Sequence, residues 1–289
     1  MDLAAVLLLQ ILYGVASLAL ISVGLAIVFG MMRVINLAHG EFLMLGVYTV
    51  VVSTNAGVNL WFAMLVLAPV VVGLIGVIVE RLLIRFLYGR MVDTLLATWG
   101  LSLLIIGLIS TLFGSATRSS ISPPLGAVRI GDYTTSGYEL FLIVVAVLVL
   151  IALYALLRYT RLGLVARGTM QNSEMAAALG VNPSRVYALT FGIGAALTGL
   201  AGGLLAPLTG ALPTIGAAFI AKAFITVISG GASILAGTAS ASALLGTINS
   251  VGTYLTTPVI GEVALLLAAI VLLRLLPSGI TGRFFRRQL

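Results

Sequence analysis

The 289-residue sequence predicts an all-α protein, a polytopic membrane helix bundle with about eight or nine transmembrane helices and one short helix on the cytoplasmic side. Three observations carry this. Hydrophobic residues make up 61% and charged residues 8% of the chain, against about 25% charged in an average soluble domain. Charge-free runs cover residues 3–32, 42–79, 94–117, 140–157, 186–221 and 223–261, while about 20 apolar residues suffice to cross a bilayer, so several runs hold two crossings. The arginines cluster at the ends of these runs, in segments 81–90, 158–185 and 283–287. A β-barrel does not fit, because its strands alternate apolar and polar residues over about ten positions.

Placing the arginine-rich segments in the cytoplasm orients the chain, with the N-terminus outside and the C-terminus inside. The first run, residues 3–30, lacks a basic leading region and is too long for a signal peptide, so it is expected to be a retained first helix. A second helix is expected from about Phe42, and a third over 60–79, descending to the Arg81 cluster. A fourth, 94–113, rises to the longest outer loop, 114–138, where Ser122-Pro123-Pro124 and scattered glycines mark turns. A fifth, 140–157, returns to the polar segment 158–185.

Within that segment a short helix is written out. Asn172 or Ser173 caps it, Glu174 stands in the first turn where the helix dipole favours an acid, and Met175, Ala177, Ala178 and Leu179 are good helix formers. Gly180 stops it, and Asn182-Pro183 caps and opens the next helix. Beyond lie a span over 183–205, two glycine- and alanine-rich spans between 217 and 255, and a last one over 263–276. Residues 228–237 read as a loop, a broken helix or a re-entrant turn. Gly192, Gly194, Gly199, Gly202 and Gly203 imply a tight bundle, since small residues let membrane helices approach closely. The whole chain, 1–289, reads as one transmembrane domain that includes the segment 158–185.

Candidate chemistry is sparse. Asn36, His39 and Glu41 lie between the first two helices, either as a solvated or structural turn or as a gating or substrate contact, because polar groups at membrane depth are costly unless they face protein or water. Thr94, Thr98 and Ser102 fall at i, i+4 and i+8, a hydroxyl stripe with Trp99 beside it, suited to a polar path or to backbone hydrogen bonds. Lys222 is expected to snorkel to an interface, with a carboxylate across the bundle as the alternative, and Glu262 shares the ambiguity. One histidine and no cysteine argue against a metal site. Walker, Gly-x-Ser-x-Gly and His-Glu-x-x-His motifs are absent, so the chain itself offers no nucleotide hydrolysis, no enzyme chemistry and no cofactor. The +7 charge follows the membrane rule and is not a nucleic-acid footprint.

Three stretches, 30–46 with Asn36-Leu-Ala-His-Gly-Glu41, 171–180, and 224–237 with Ser229-Gly-Gly231, resemble the permease subunits of bacterial branched-chain amino acid ABC importers. The resemblance extends over nearly the whole chain. It implies a pore completed by a second, related but different permease, two ATPase subunits in the cytoplasm, an external substrate-binding protein, and a multi-pass location in the bacterial inner membrane. It makes the 174–180 helix the coupling helix that docks on the ATPase, and Asn36, His39, Glu41, Thr94, Thr98, Trp99 and Ser102 candidates for the substrate pathway or its gate. Leu87-Tyr-Gly-Arg90, residues 93–102 and Thr169-Met-Gln-Asn172 look more like the urea and short-amide branch, whereas Lys222-Ala-Phe224 looks like the amino acid branch. The cargo expected on balance is urea or a short amide, with a branched-chain amino acid as the alternative.

Overall fold

The first apolar run folds as one 31-residue helix, α1 (Asp2–Met32), followed by a non-helical hinge over residues 33–38 and then α2 (His39–Asn55). This computed structural model describes residues 2–115, 121–231 and 233–285. The next span, Leu60–Leu82, is not uniform: α3 (Leu60–Phe62) passes through a π-helical turn, Ala63–Leu67, into α4 (Ala68–Leu82). Asn59 caps it, its side chain accepting from the Trp61 and Phe62 amides. The wide turn precedes Pro69, whose ring has no N–H and would crowd a regular preceding turn. Then come α5 (Met91–Phe113) and α6 (Gly137–Tyr159), the polar-segment helices α7 (Arg161–Gln171) and α8 (Ser173–Ala178), and α9 (Pro183–Thr209), α10 (Ile215–Gly230), α11 (Ile234–Leu255), α12 (Pro258–Leu275) and α13 (Gly279–Phe285).

Among the described residues seven helices are long and apolar enough to cross a membrane, and α2 and α10, at 17 and 16 residues, are shorter. That agrees with an expectation of eight or nine. The outer loop is not only turns: Ala127–Ile130 (β1) pairs antiparallel with Tyr133–Ser136 (β2) around Gly131-Asp132, a two-residue hairpin signal present in the sequence. Helix α7 was also unforeseen. Thr160 caps it, accepting from the Gly163 amide at 3.1 Å. The end of the arginine cluster at 283–287, residues 116–120 of the outer loop and position 232 lie outside the described residues.

The chain divides into two compact units. One comprises Gly24–Ile121 and Ala152–Ala221, the other Met1–Val23, Ser122–Ile151 and Lys222–Leu289.

In the first unit α9 is the central element, packed by α2 and α4. Two glycines, Gly202 of α9 and Gly46 of α2, show why the sequence is so rich in them. A Cβ on Gly202 would enter the Leu43 carbonyl of α2, and one on Gly46 would enter the Gly199 carbonyl. Backbone thus lies against backbone, the close approach that substitutes for a hydrophobic drive in lipid. Around this seam Val28, Val34, Ala38, Phe42, Val72, Ile84, Phe191 and Ala195 form a buried core, with Phe42 and Phe191 edge to face at 5.9 Å.

In the second unit α11 packs on α12, and Leu18, Leu245, Leu265 and Ala269 form the core. The segment 228–237 resolves into the end of α10, a tight reversal and the start of α11. Thr281 pins the reversal, its hydroxyl donating to the Gly230 carbonyl at 2.6 Å and accepting from the Ser233 amide at 3.1 Å. Lys222 does not snorkel free. It donates to Glu262, across from α10 to α12, and the Glu262 side chain stays about half exposed.

Candidate functional site

Two groups of residues in the first unit bring together most of the sequence candidates. The first is a polar knot around the hinge. The hinge is built by Asn36, whose side-chain oxygen accepts from the Ala38 amide at 3.0 Å while its carbonyl accepts from the His39 amide at 3.2 Å. This local turn ends the extended hinge and starts α2 three residues earlier than expected, so His39 and Glu41 fall in its first turn. Asn36, His39 and Glu41 are all buried, which sets aside a solvated turn. His39 and Glu41 face different neighbours, as their spacing requires. His39 Nδ1 lies 3.4 Å from the hydroxyl of Thr198 on α9, and that hydroxyl donates to the Gly194 carbonyl at 2.8 Å. Glu41 accepts from Ser102 on α5 and leaves its second oxygen, Oε2, buried without a hydrogen bond among the described residues. Gly40, between them, lies against Gly216 so closely that no side chain fits.

The stripe on α5 serves this hinge. Thr98 accepts from the Leu37 amide at 3.1 Å, with the carbonyls of Leu95 (3.1 Å) and Ile35 (3.3 Å) in reach of its hydroxyl proton. Thr94 donates to the carbonyls of Arg90 (2.8 Å) and Leu87 (3.1 Å). All three stripe residues are buried, whereas Trp99 points away and is 55% exposed, so the structure does not bring it to the knot. Replacing Thr98 by valine keeps the shape and removes the acceptor of the Leu37 amide, which costs about 1–3 kcal/mol for an orphaned buried donor. The expected outcome is a lower Tm of the purified chain with the hinge newly open to amide hydrogen exchange, and unchanged exchange at residues 33–38 would contradict the assignment. Sequence reasoning missed Thr198, because one threonine among the three of a glycine-rich helix carries no local signal.

The second group is the surface at α8. Asn172 caps the helix, its side chain accepting from the Met175 amide at 2.8 Å. Gly180 at φ +86° ends it, a conformation that L side chains rarely adopt. Asn182 then caps α9, accepting from the Arg185 amide at 3.2 Å, with Pro183 as its first residue. Glu174, Met175, Ala177, Ala178, Leu179 and Gly180 are all exposed, and only Ala176 is buried. Met175 and Leu179, four apart and 59% and 79% exposed, make an apolar pair on a small-residue helix. Beside the start of α9, Arg81, Arg85, Arg185, Asn182 and Ser184 line a polar pocket with Glu80 at its base. Tyr88 donates to Glu80. Burial, and then the bond to Glu80, pushes the Tyr88 hydroxyl well above its ordinary value, so it stays a donor throughout the physiological range.

No group of three or more metal-ligating residues comes together among the described residues. The spans, the buried knot at a helix break and the exposed capped helix define a multi-pass membrane protein of the transport class. Residues 7–276 match the family described as "Branched-chain amino acid transport system / permease component", and the chain belongs to that family. It is therefore a permease component of an ABC importer, a transport subunit rather than an enzyme. It is 31% identical over 281 residues to the high-affinity branched-chain amino acid transport system permease protein LivH of Escherichia coli K12, covering 92% of this chain and 91% of that one. It is 28% identical over 283 residues to the permease protein BraD of Pseudomonas aeruginosa, with the same coverage. To the probable LivH permease of Methanocaldococcus jannaschii it is 28% identical over 286 residues, covering 92% and 88%. No solved structure matches.

Proposed function

We propose that this chain moves a branched-chain amino acid into the cell by alternating access, as one of two related permeases that receive force from separate ATPase subunits and cargo from an external binding protein. The observation that carries the reading is α8: a short helix capped at both ends, exposed at Glu174, Met175, Ala177 and Ala178, and joined through Asn182-Pro183 directly to the buried α9. A docking element of this build suits a chain that receives mechanical work, and a passive pore has no need of it. Residues 1–289 act as one permease domain in the bacterial plasma membrane, with the arginine-flanked ends and the C-terminus in the cytoplasm. The relatives are branched-chain amino acid permeases, which favours an amino acid over urea or a short amide. The Lys222–Glu262 pair, a partly exposed ion pair on apolar helices, calls for protein or water on its open side, as a partner permease or a pathway would supply.

The buried knot at Asn36, His39, Glu41, Thr98 and Ser102 forms the hinge of the pathway, and the unpaired oxygen of Glu41 is its free acceptor. The test is uptake into proteoliposomes holding this chain, its partner permease, the ATPases and the binding protein. Labelled leucine should accumulate only with internal ATP, and urea should not. Urea accumulation without leucine uptake would reverse the cargo, and full-rate flux through this chain alone would remove the importer reading.

A further inference from the structure

The inner end of the first unit holds an apolar slot that the transport reading does not use. Its walls come from four helices: Ile27 and Met31 of α1, Leu153 and Leu157 of α6, Ala166 of α7 and Leu189 of α9 are among the lining residues, and almost all the lining is hydrocarbon. Its volume is about 80 Å³, room for the end of one chain rather than for a whole amphiphile. Arginines stand within two residues, in sequence, of the lining from all four helices: Arg33 just past the end of α1, Arg158 after Leu157, Arg161 and Arg167 on either side of the α7 wall, and Arg185 before Val186. None of the five makes an ion pair with a carboxylate among the described residues. The ion pairs of the described residues are Arg90–Asp93 and Lys222–Glu262. Helix α7 itself has the composition of an interfacial helix, with Leu162 and Leu164 exposed between Arg161 and Arg167.

We infer that this slot is a binding site for one anionic phospholipid of the cytoplasmic leaflet, its tail end in the slot and its phosphate among the arginines of α6 and α7. At hydrocarbon depth an apolar slot open to the bilayer fills with a lipid tail in any case. What selects one lipid from another is the headgroup charge, and guanidinium groups without a carboxylate partner supply donors that match phosphate oxygens bidentately, Arg167 spending only its Nε, on the Gly163 carbonyl at 3.3 Å. Arg33 adds to the field, while Arg185 also lines the neighbouring polar pocket that holds Glu80. The site joins α7, the first helix of the polar segment, to α9. It rests on the membrane residence and the cytoplasmic placing of the arginine-flanked ends proposed above, not on the cargo.

The full-length chain, purified in mild detergent and titrated with phosphatidylglycerol or phosphatidylcholine, tests this by native mass spectrometry. The parent chain should retain one phosphatidylglycerol under activation that strips phosphatidylcholine. The double variant Arg158→Gln/Arg161→Gln should retain it roughly thirtyfold less, the loss of two surface cations near a charged headgroup. Ala166→Trp, which fills the slot and leaves every charge in place, should lose it as well. Should Ala166→Trp fail to give a monodisperse protein, Leu189→Trp from the opposite wall takes its place. Equal retention of both lipids by the parent, no lipid retained, or either variant behaving like the parent overturns the assignment.

Discussion

Gly202→Leu is expected to abolish the folded protein. The Cβ alone would occupy the position of the Leu43 carbonyl, and both partners are main chain of buried helices that cannot yield by a rotamer change. Overpacking by extra methylenes costs about 1–3 kcal/mol where side chains can adjust. Here the α2–α9 seam must open instead, which also exposes the Gly46–Gly199 contact next to it. The measurement is size-exclusion chromatography of a fluorescent fusion, where the monodisperse peak should vanish or the Tm fall beyond the assay window. Gly107→Leu on α5 is the internal control: nothing lies within 4 Å of its Cβ, and leucine even gains helix propensity of about 1 kcal/mol. Equal behaviour of the two variants would show that the seam is not what the structure says it is.

The second large effect concerns force transfer. Glu174→Ala and Gly180→Leu are expected to leave the bundle folded, because Glu174 is exposed and a Cβ at Gly180 meets nothing within 4 Å. Gly180→Leu nevertheless strains the left-handed residue that ends α8, and so shifts the helix against the start of α9. In the reconstituted importer ATP hydrolysis should continue while ATP-driven uptake falls about tenfold, equivalent to roughly 1.4 kcal/mol of lost coupling. Uptake at the parent rate in both variants would sink the role given to α8, whereas parallel loss of hydrolysis and uptake would indicate failed docking instead of failed transmission.

Much of this was legible in the chain, for reasons that are local. The spans follow from charge-free runs, and α8 follows from Asn172, Glu174 and Gly180, whose cap and stop act within four residues. The glycines of α9 announced close packing but not its partners, because a small residue advertises room and does not name its occupant. Trp99 looked like part of the threonine stripe by adjacency in sequence, yet one residue turns a helix by about 100°, enough to move it from the buried to the exposed face. Thr198 and Thr281 were out of reach for a different reason, and for Lys222 a carboxylate across the bundle was open only as an alternative to snorkelling. Each is defined by a partner at least 40 residues away, and no local rule pairs them.

The placing of α9 at the centre of its unit also sets a timetable for biogenesis. Its glycine contacts reach back to Gly24, Leu43, Gly46 and Ala68, so α1, α2 and α4 are inserted well before the helix they close upon exists. Gly46 and Gly199 are separated by about 150 residues, which at ordinary synthesis rates is a wait of roughly 8–30 s. Through that interval the small-residue grooves of the early helices face lipid unoccupied, open to whatever other membrane helix drifts past. A newborn chain of this kind is therefore most vulnerable to mispairing in the seconds before residue 209 leaves the ribosome, and the cell must shelter half a bundle until its core arrives.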